Sequence, residues 1–264
     1  MITLVELDPE PVHWVRYLNA ARGGGSSVER LPIARARATG LPAGVDALVA
    51  TSDLQGVVPD PHTRASILLG VAVAEALEEL AFDDVLPSLA RTGALLAGDL
   101  YSVPGADKRG GYGDVADVWR AFAERFAWVA GVAGNHDDVG RVEPAAHVHL
   151  LDGARVDLDG LRIGGVGLIA GNPGKRGRRA EDDQLARIEE VVAGGVDVLL
   201  VHEGPAGDAD AGGQPGHATI RELVEAYEVP LTVCGHAHWE PALARHPRGQ
   251  ILNVDARVVV LTRA

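Results

Sequence analysis

The sequence predicts an α/β fold in which two mixed β-sheets pack face to face with helices outside. Three observations carry that expectation. Five apolar runs, at residues 47–50, 94–97, 128–133, 198–201 and 231–234, each stop at a loop bearing Asp, Asn or His, as buried strands of a parallel sheet do when they deliver polar groups at their C-terminal ends. Helix-like segments alternate with these runs, which is the βαβ rhythm of a parallel sheet. After residue 136, and again at the end of the chain, the rhythm changes to short strands with tight turns, implying a second, partly antiparallel sheet. Two sheets face to face, with helices outside, cover every apolar face.

In chain order, residues 4–7 read as a strand, and Asp8-Pro9 as the start of a helix through Trp14, Tyr17 and Leu18. Residues 23–27, Gly-Gly-Gly-Ser-Ser, read as a flexible turn. Arg30, Arg35 and Arg37 interleave with apolar positions through Ala38, which fits an edge strand with one solvated face or a basic arm, the strand being favoured. Strand to Ser52, helix 63–90, strand to Ala97, helix 115–125 and strand to Ala133 follow. Strands at 147–151, 155–158 and 161–169 come next, with Asp159-Gly160 as a hairpin signal. The remainder reads as helix 182–193, strand to Val201, helix 219–227, and strands at 242–246, 251–254 and 258–261. The expected organisation is an N-terminal extension, residues 1–45, packed on one domain of residues 46–264.

Composition narrows the function classes. A chain of 264 residues with 47% hydrophobic content can bury a sizeable core. Its formal net charge of −13 disfavours nucleic acid or an anionic membrane as partner, because the long-range field repels both. Cys234, the single cysteine, allows no internal disulfide and sits in an apolar strand, so it reads as a small core residue. The N-terminus carries no basic region followed by an apolar stretch, and charges interrupt the longer apolar runs. A cytoplasmic location is the expectation.

Three long connections, 100–114, 171–181 and 203–216, invite a functional reading, because loops of that size in a compact domain usually serve a site. The first holds Lys108, Arg109 and Tyr112; the second holds Lys175, Arg176, Arg178 and Arg179. The second loop reads either as a movable anion-binding lid or as a solvated surface loop.

Taken singly, each polar loop has a structural explanation: Asp53 or Asp99 as a helix N-cap, Gly-Asn as a turn, His-x-His as a solvated pair. Together the order of ligand types decides otherwise. Asp53-Leu54-Gln55, Gly98-Asp99, Gly134-Asn135-His136-Asp137, His202 and Gly235-His236-Ala237-His238 resemble, in that order, the calcineurin-like metallophosphoesterase superfamily, whose fold is an αββα sandwich. His202-Glu203-Gly204-Pro205, then Gly216-His217-Ala218-Thr219, looks most similar to the cyclic-nucleotide-type phosphodiesterase branch. The resemblance implies two divalent ions: Asp53 and His238 hold one, Asn135, His202 and His236 hold the other, and Asp99 bridges them. It also implies that His136 faces the substrate as acid or electrostatic stabiliser. Asp137 either orients His136 or caps the following turn.

Physical chemistry agrees with that pattern. Two dications roughly 3.5–4 Å apart need a carboxylate between them, and together lower the pKa of a shared water towards about 7. Neutral Asn and His leave the centre net positive, which attracts phosphate. Gln55 stands where the family has His; as an oxygen ligand it favours Mn²⁺, with Fe or Zn as alternatives, or else it holds a water. The expected function is hydrolysis of a phosphodiester, or phosphomonoester, of a small molecule by a metal-bridging hydroxide. Lys175, Arg176 and His217 are the expected substrate contacts. A nuclease, or a weakened interaction module that keeps the fold, are the alternatives.

Overall fold

The Val-, Leu- and Ala-rich runs form the strands expected of them. The computed structural model describes residues 1–21, 23–60, 65–108, 110–208 and 212–264; His62, Thr63 and Arg109 lie outside the described residues. A ten-stranded sheet runs in the order Val148–Leu150, Trp128–Gly131, Thr92–Leu96, Ala47–Ser52, Arg257–Arg263, Ser26–Thr39, His13–Ala20, Val57–Pro59 and Ser66–Leu68, with Thr3–Leu7 also paired to Ser26–Thr39. A six-stranded sheet has the order Ala154–Leu158, Leu161–Val166, Val198–Glu203, Leu231–Gly235, Gly249–Asn253 and Leu243–His246.

Side-chain alternation along the strands sets the layers. Leu48 and Ala50 face Ile163, Val198, Leu200, Leu231 and Val233 in the core between the sheets. Ala47 and Val49 point the other way, onto Val73, Leu77, Val118, Trp119 and Phe122 of the helices Leu69–Phe82 and Ala116–Ala123. On the outer face of the second sheet, Leu199 and Val201 pack on Ile188, Val192, Ile220 and Val224 of the helices Glu181–Ala193 and Ala218–Ala226. The result is the four-layer sandwich expected from the sequence.

Several elements differ from expectation. Residues 13–20 form a strand and not a helix: Val15 and Tyr17 are buried while Trp14 and Arg16 are exposed, a period of two. That strand pairs antiparallel with Ser26–Thr39 from Ala20↔Ser26 to His13↔Ile33. Ser26–Thr39 is not at an edge, because Arg257–Arg263 pairs parallel with its other half. Two of its cations have acidic partners nearby, Arg35 with Asp8 at 3.3 Å and Arg37 with Glu6 at 3.4 Å. Three strands of the N-terminal segment, Thr3–Leu7, His13–Ala20 and Ser26–Thr39, are thus hydrogen-bonded into the first sheet. The first helix ends at Phe82, well before residue 90, since Asp84 turns left-handed with φ 57° and Pro87 follows. Val148–Leu150 and Arg257–Arg263 join the first sheet, the former parallel to Trp128–Gly131. The Asp159-Gly160 hairpin forms as expected.

Candidate metal centre

The strands Ala47–Ser52, Thr92–Leu96 and Trp128–Gly131 are parallel neighbours in one sheet, and Val198–Glu203 and Leu231–Gly235 are parallel neighbours in the other. The loops after the first three carry Asp53, Asp99, Asn135 and His136; the other two strands present His202, His236 and His238. The site therefore lies across the facing ends of two sheets.

Tight backbone geometry aims these groups. Asp53, Asp99 and His236 all adopt left-handed conformations, with φ of 55°, 55° and 68°, uncommon for residues with a Cβ and concentrated at functional sites. The glycines before Asn135 and His236 are needed for contact: a Cβ on Gly134 would lie 2.1 Å from Asp99 Oδ1, and one on Gly235 2.3 Å from Asp53 Oδ2. Asp99 is the hub. Its Oδ1 accepts the His136 backbone N–H at 2.9 Å and lies 3.4 Å from His202 Nε2, while its Oδ2 accepts the Gln55 amide at 2.9 Å. His202, fully buried, places Nδ1 2.8 Å from the Ala97 carbonyl and Nε2 3.2 Å from Asn135 Oδ1. Among the described residues, Asp99, His202 and His236 offer ligand atoms all within 4.8 Å of one another.

The donor set fits a metal ion. One carboxylate and two imidazoles converge, and the Ala97 carbonyl holds His202 through Nδ1 so that Nε2 faces the cluster, the usual support for a ligating His. The titration behaviour without an ion points the same way. Burial alone would lower the His202 pKa, but the Asp99 and Asp53 carboxylates outweigh it and push it up to about 10. Asp99 stays below the usual carboxylate range, because the His202 charge overcomes its burial. Burial raises Asp53 to about 8, and burial next to the His202 charge lowers His236 to about 4. A proton on His202 thus occupies the place in the charge balance that a cation would take.

Other expected residues stand in varied relation to this cluster. Asp53 Oδ2 accepts the His236 N–H at 2.8 Å and the Ser52 hydroxyl at 2.7 Å. His238 is more exposed and turns Nδ1 to Asp255 Oδ2 at 2.9 Å. His136 directs Nδ1 at the Gly111 carbonyl and Nε2 towards Asp99 Oδ2, 3.9 Å away. Asp137 does not orient that ring. Its carboxylate accepts the backbone N–H groups of Leu100 at 2.7 Å, Tyr101 at 3.1 Å and Gly134 at 2.9 Å, bracing two loops of the centre. Cys234 is buried, and burial pushes its thiol up to about 12, as expected of a core residue.

The basic loop divides. Arg179 is held by Asp152 at 2.7 Å, Gln184 at 2.7 Å and Asp183 at 3.1 Å, so it braces the Glu181–Ala193 helix and is not free for an anion. Arg176 lies over the Tyr112 ring at 5.2 Å, joining this loop to the one that holds Gly111. The exposed Arg178 acts electrostatically on His236. Lys175 is exposed, and His217 turns Nε2 to Glu181 at 3.3 Å.

A family model described as calcineurin-like phosphoesterase matches residues 48–240. The chain belongs to that family. Protein TT1561 of Thermus thermophilus, a solved structure, is similar in fold at a TM-score of 0.53 and 18% identity, over 79% of this chain and 88% of that one. A protein of unknown function, AQ665 from Aquifex aeolicus, aligns over 81% of this chain and 95% of its own with 14% identity and a TM-score of 0.31. Among proteins with curated descriptions, none matches the chain at a significant level. Membership makes this phosphoesterase a metal-dependent phosphoric ester hydrolase by family, and no helix among its described residues is long and apolar enough to cross a membrane.

Asp255 was not foreseen as part of this site. It follows the apolar strand Gly249–Asn253, so the same pattern of a buried strand ending in a carboxylate was there to be read.

Proposed function

We propose that this phosphoesterase hydrolyses a small-molecule phosphodiester, in preference to a monoester, at a dinuclear centre in the cytoplasm. The observation that carries the reading is Asp99: a buried carboxylate whose two oxygens face opposite groups, His202 on one side and Gln55 on the other. Such a carboxylate suits a bridge, with Asn135, His202 and His236 on one ion and Asp53, Gln55 and His238 on the other. Bound divalent ions, Mn²⁺ in preference to Fe or Zn, would supply Lewis-acid activation of water and neutralise phosphoryl charge.

The chain's own residues do the remaining work. His136, held through Nδ1 by the Gly111 carbonyl, keeps Nε2 as the atom that delivers a proton to the leaving oxygen. Asp137 fixes the loop on which His136 rides. Lys175, Arg176 and Arg178 attract the phosphate and His217 contacts the substrate, a reading supported by the Arg178 charge acting on His236.

The test is metal analysis of the purified protein, paired with turnover of bis(p-nitrophenyl) phosphate and p-nitrophenyl phosphate. Two ions per chain and a higher kcat/KM on the diester are expected. One ion per chain would defeat the dinuclear reading, and preference for the monoester would defeat the diesterase reading.

A further inference from the structure

A cleft of about 280 Å³ opens beside the metal centre, and its walls come from distant parts of the chain. Asp53 and Gln55 line it, and so do Asp255 and Tyr17, Asn19 and Glu29 from the hairpin of His13–Ala20 and Ser26–Thr39. Tyr101, Ser102 and Lys108 belong to the lining as well, so among the described lining residues one cation stands with three carboxylates. The N-terminal segment, which lies before the matched residues 48–240, thus walls the site.

Chemistry at the hairpin wall is one-sided. Glu29 accepts the Tyr17 hydroxyl at 3.0 Å, the Asn19 amide at 3.1 Å and the Ser27 hydroxyl at 3.3 Å. Among the described residues all three partners are neutral, so the carboxylate is oriented without a cation bound to it. Asn19 spends its own oxygen on the Ala20 N–H at 2.8 Å. Burial and the Glu29 charge hold the Tyr17 phenol well above its ordinary pKa, so it remains a donor to Glu29. What this wall offers to a ligand is therefore acceptor capacity and negative charge, beside a centre built for anions.

We propose that this cleft binds one alcohol of the phosphodiester, a small polar alcohol that donates a hydrogen bond from an ammonium or hydroxyl group to Glu29. The inference rests on the phosphodiesterase reading and names the substrate class for it. The volume supports a compact group, since pockets for drug-sized ligands begin at about 300 Å³. A run of stacked bases would not fit, and the acidic wall would repel a second phosphate.

Three p-nitrophenyl phosphodiesters that differ only in the second alcohol test it: 2-aminoethyl, 2-hydroxyethyl and ethyl. The full-length, metal-loaded protein should prefer the aminoethyl or the hydroxyethyl ester over the ethyl ester by about tenfold or more in kcat/KM, chiefly through KM, as a charge-assisted hydrogen bond provides. In Glu29→Gln that ratio should fall towards one, and the ester that loses more identifies ammonium or hydroxyl as the donor. Tyr17→Phe, which keeps the carboxylate, should reduce the ratio less. Equal turnover of all three by the wild type, or a preference that survives Glu29→Gln in protein with an unchanged Tm, would overturn the inference. If the wild type cleaves neither these esters nor bis(p-nitrophenyl) phosphate, the phosphodiesterase reading fails and takes this one with it.

Discussion

Loading the centre with metal should release protons in a number that depends on pH. In the metal-free protein His202 titrates at about 10 and Asp53 at about 8, whereas His236, at about 4, is already neutral at pH 7. From these two groups, filling both ion positions should expel about two protons at pH 7 and about one at pH 9, because ligands bind metal deprotonated; a shared water ionising near pH 7 adds about half a proton at pH 7 and about one at pH 9. Taking a proton from His202 at pH 7, three units below its pKa, costs roughly 4 kcal/mol, so the apparent affinity for the first ion should rise steeply with pH. The stability of the metal-free fold moves the opposite way with pH. Both folded pKa values lie above the ordinary ones, 6.5 for His202 and 3.8 for Asp53, so what each group contributes to the metal-free fold is full below its ordinary value. That contribution is lost as pH rises through about 8 for Asp53 and about 10 for His202. Metal should accordingly raise Tm more at pH 9 than at pH 6. Calorimetric titration with Mn²⁺ in two buffers of different ionisation enthalpy measures the protons directly. Proton release near zero at pH 7 would refute this account of the cluster.

Four further outcomes follow from named contacts. His136→Ala should keep its metal, by elemental analysis, while kcat drops about 10²- to 10⁴-fold as expected for loss of a general acid; metal loss would make His136 a ligand. Gln55→His should tighten Zn²⁺ binding on the Asp53 side and shift the metal that best restores activity away from Mn²⁺, since imidazole is the softer donor; an unchanged preference in metal titrations would show that Gln55 only holds Asp99. Asp137→Ala strands the N–H groups of Leu100, Tyr101 and Gly134, and denaturant unfolding should show a loss of about 3 kcal/mol or more. Arg179→Ala should lower Tm without moving KM, whereas Arg178→Ala should raise KM for a small diester; the opposite assignment would mean that the loop is arranged differently around substrate.

The sequence by itself determined the layers, the five strand ends and the ligand types they carry. Those features are local: an apolar run such as 198–201 is buried as a strand core, and the Gly-Asn-His that follows Ala133 breaks its strand into a loop. It misread what local pattern does not settle. Residues 13–20 carry aromatic, β-branched and polar groups that suit a helix start after Asp8-Pro9 as well as a strand. Only pairing with Ser26–Thr39 and packing of Val15 and Tyr17 in the core of the first helix decided for the strand. Sheet membership was equally invisible, since Arg257–Arg263 looks the same whether it joins the first sheet or the second. Its place between Ala47–Ser52 and Ser26–Thr39 depends on which backbone edges were still unpaired. The same holds for side chains. Sequence could name Asp137 and Arg179 as polar, but only the folded chain set Asp137 beneath three backbone N–H groups, locked Arg179 between Asp152 and Asp183, and brought Glu29 into a cleft that Asp53 also lines. Long-range hydrogen bonds and burial make those choices, and neither is written in the spacing of residues along the chain.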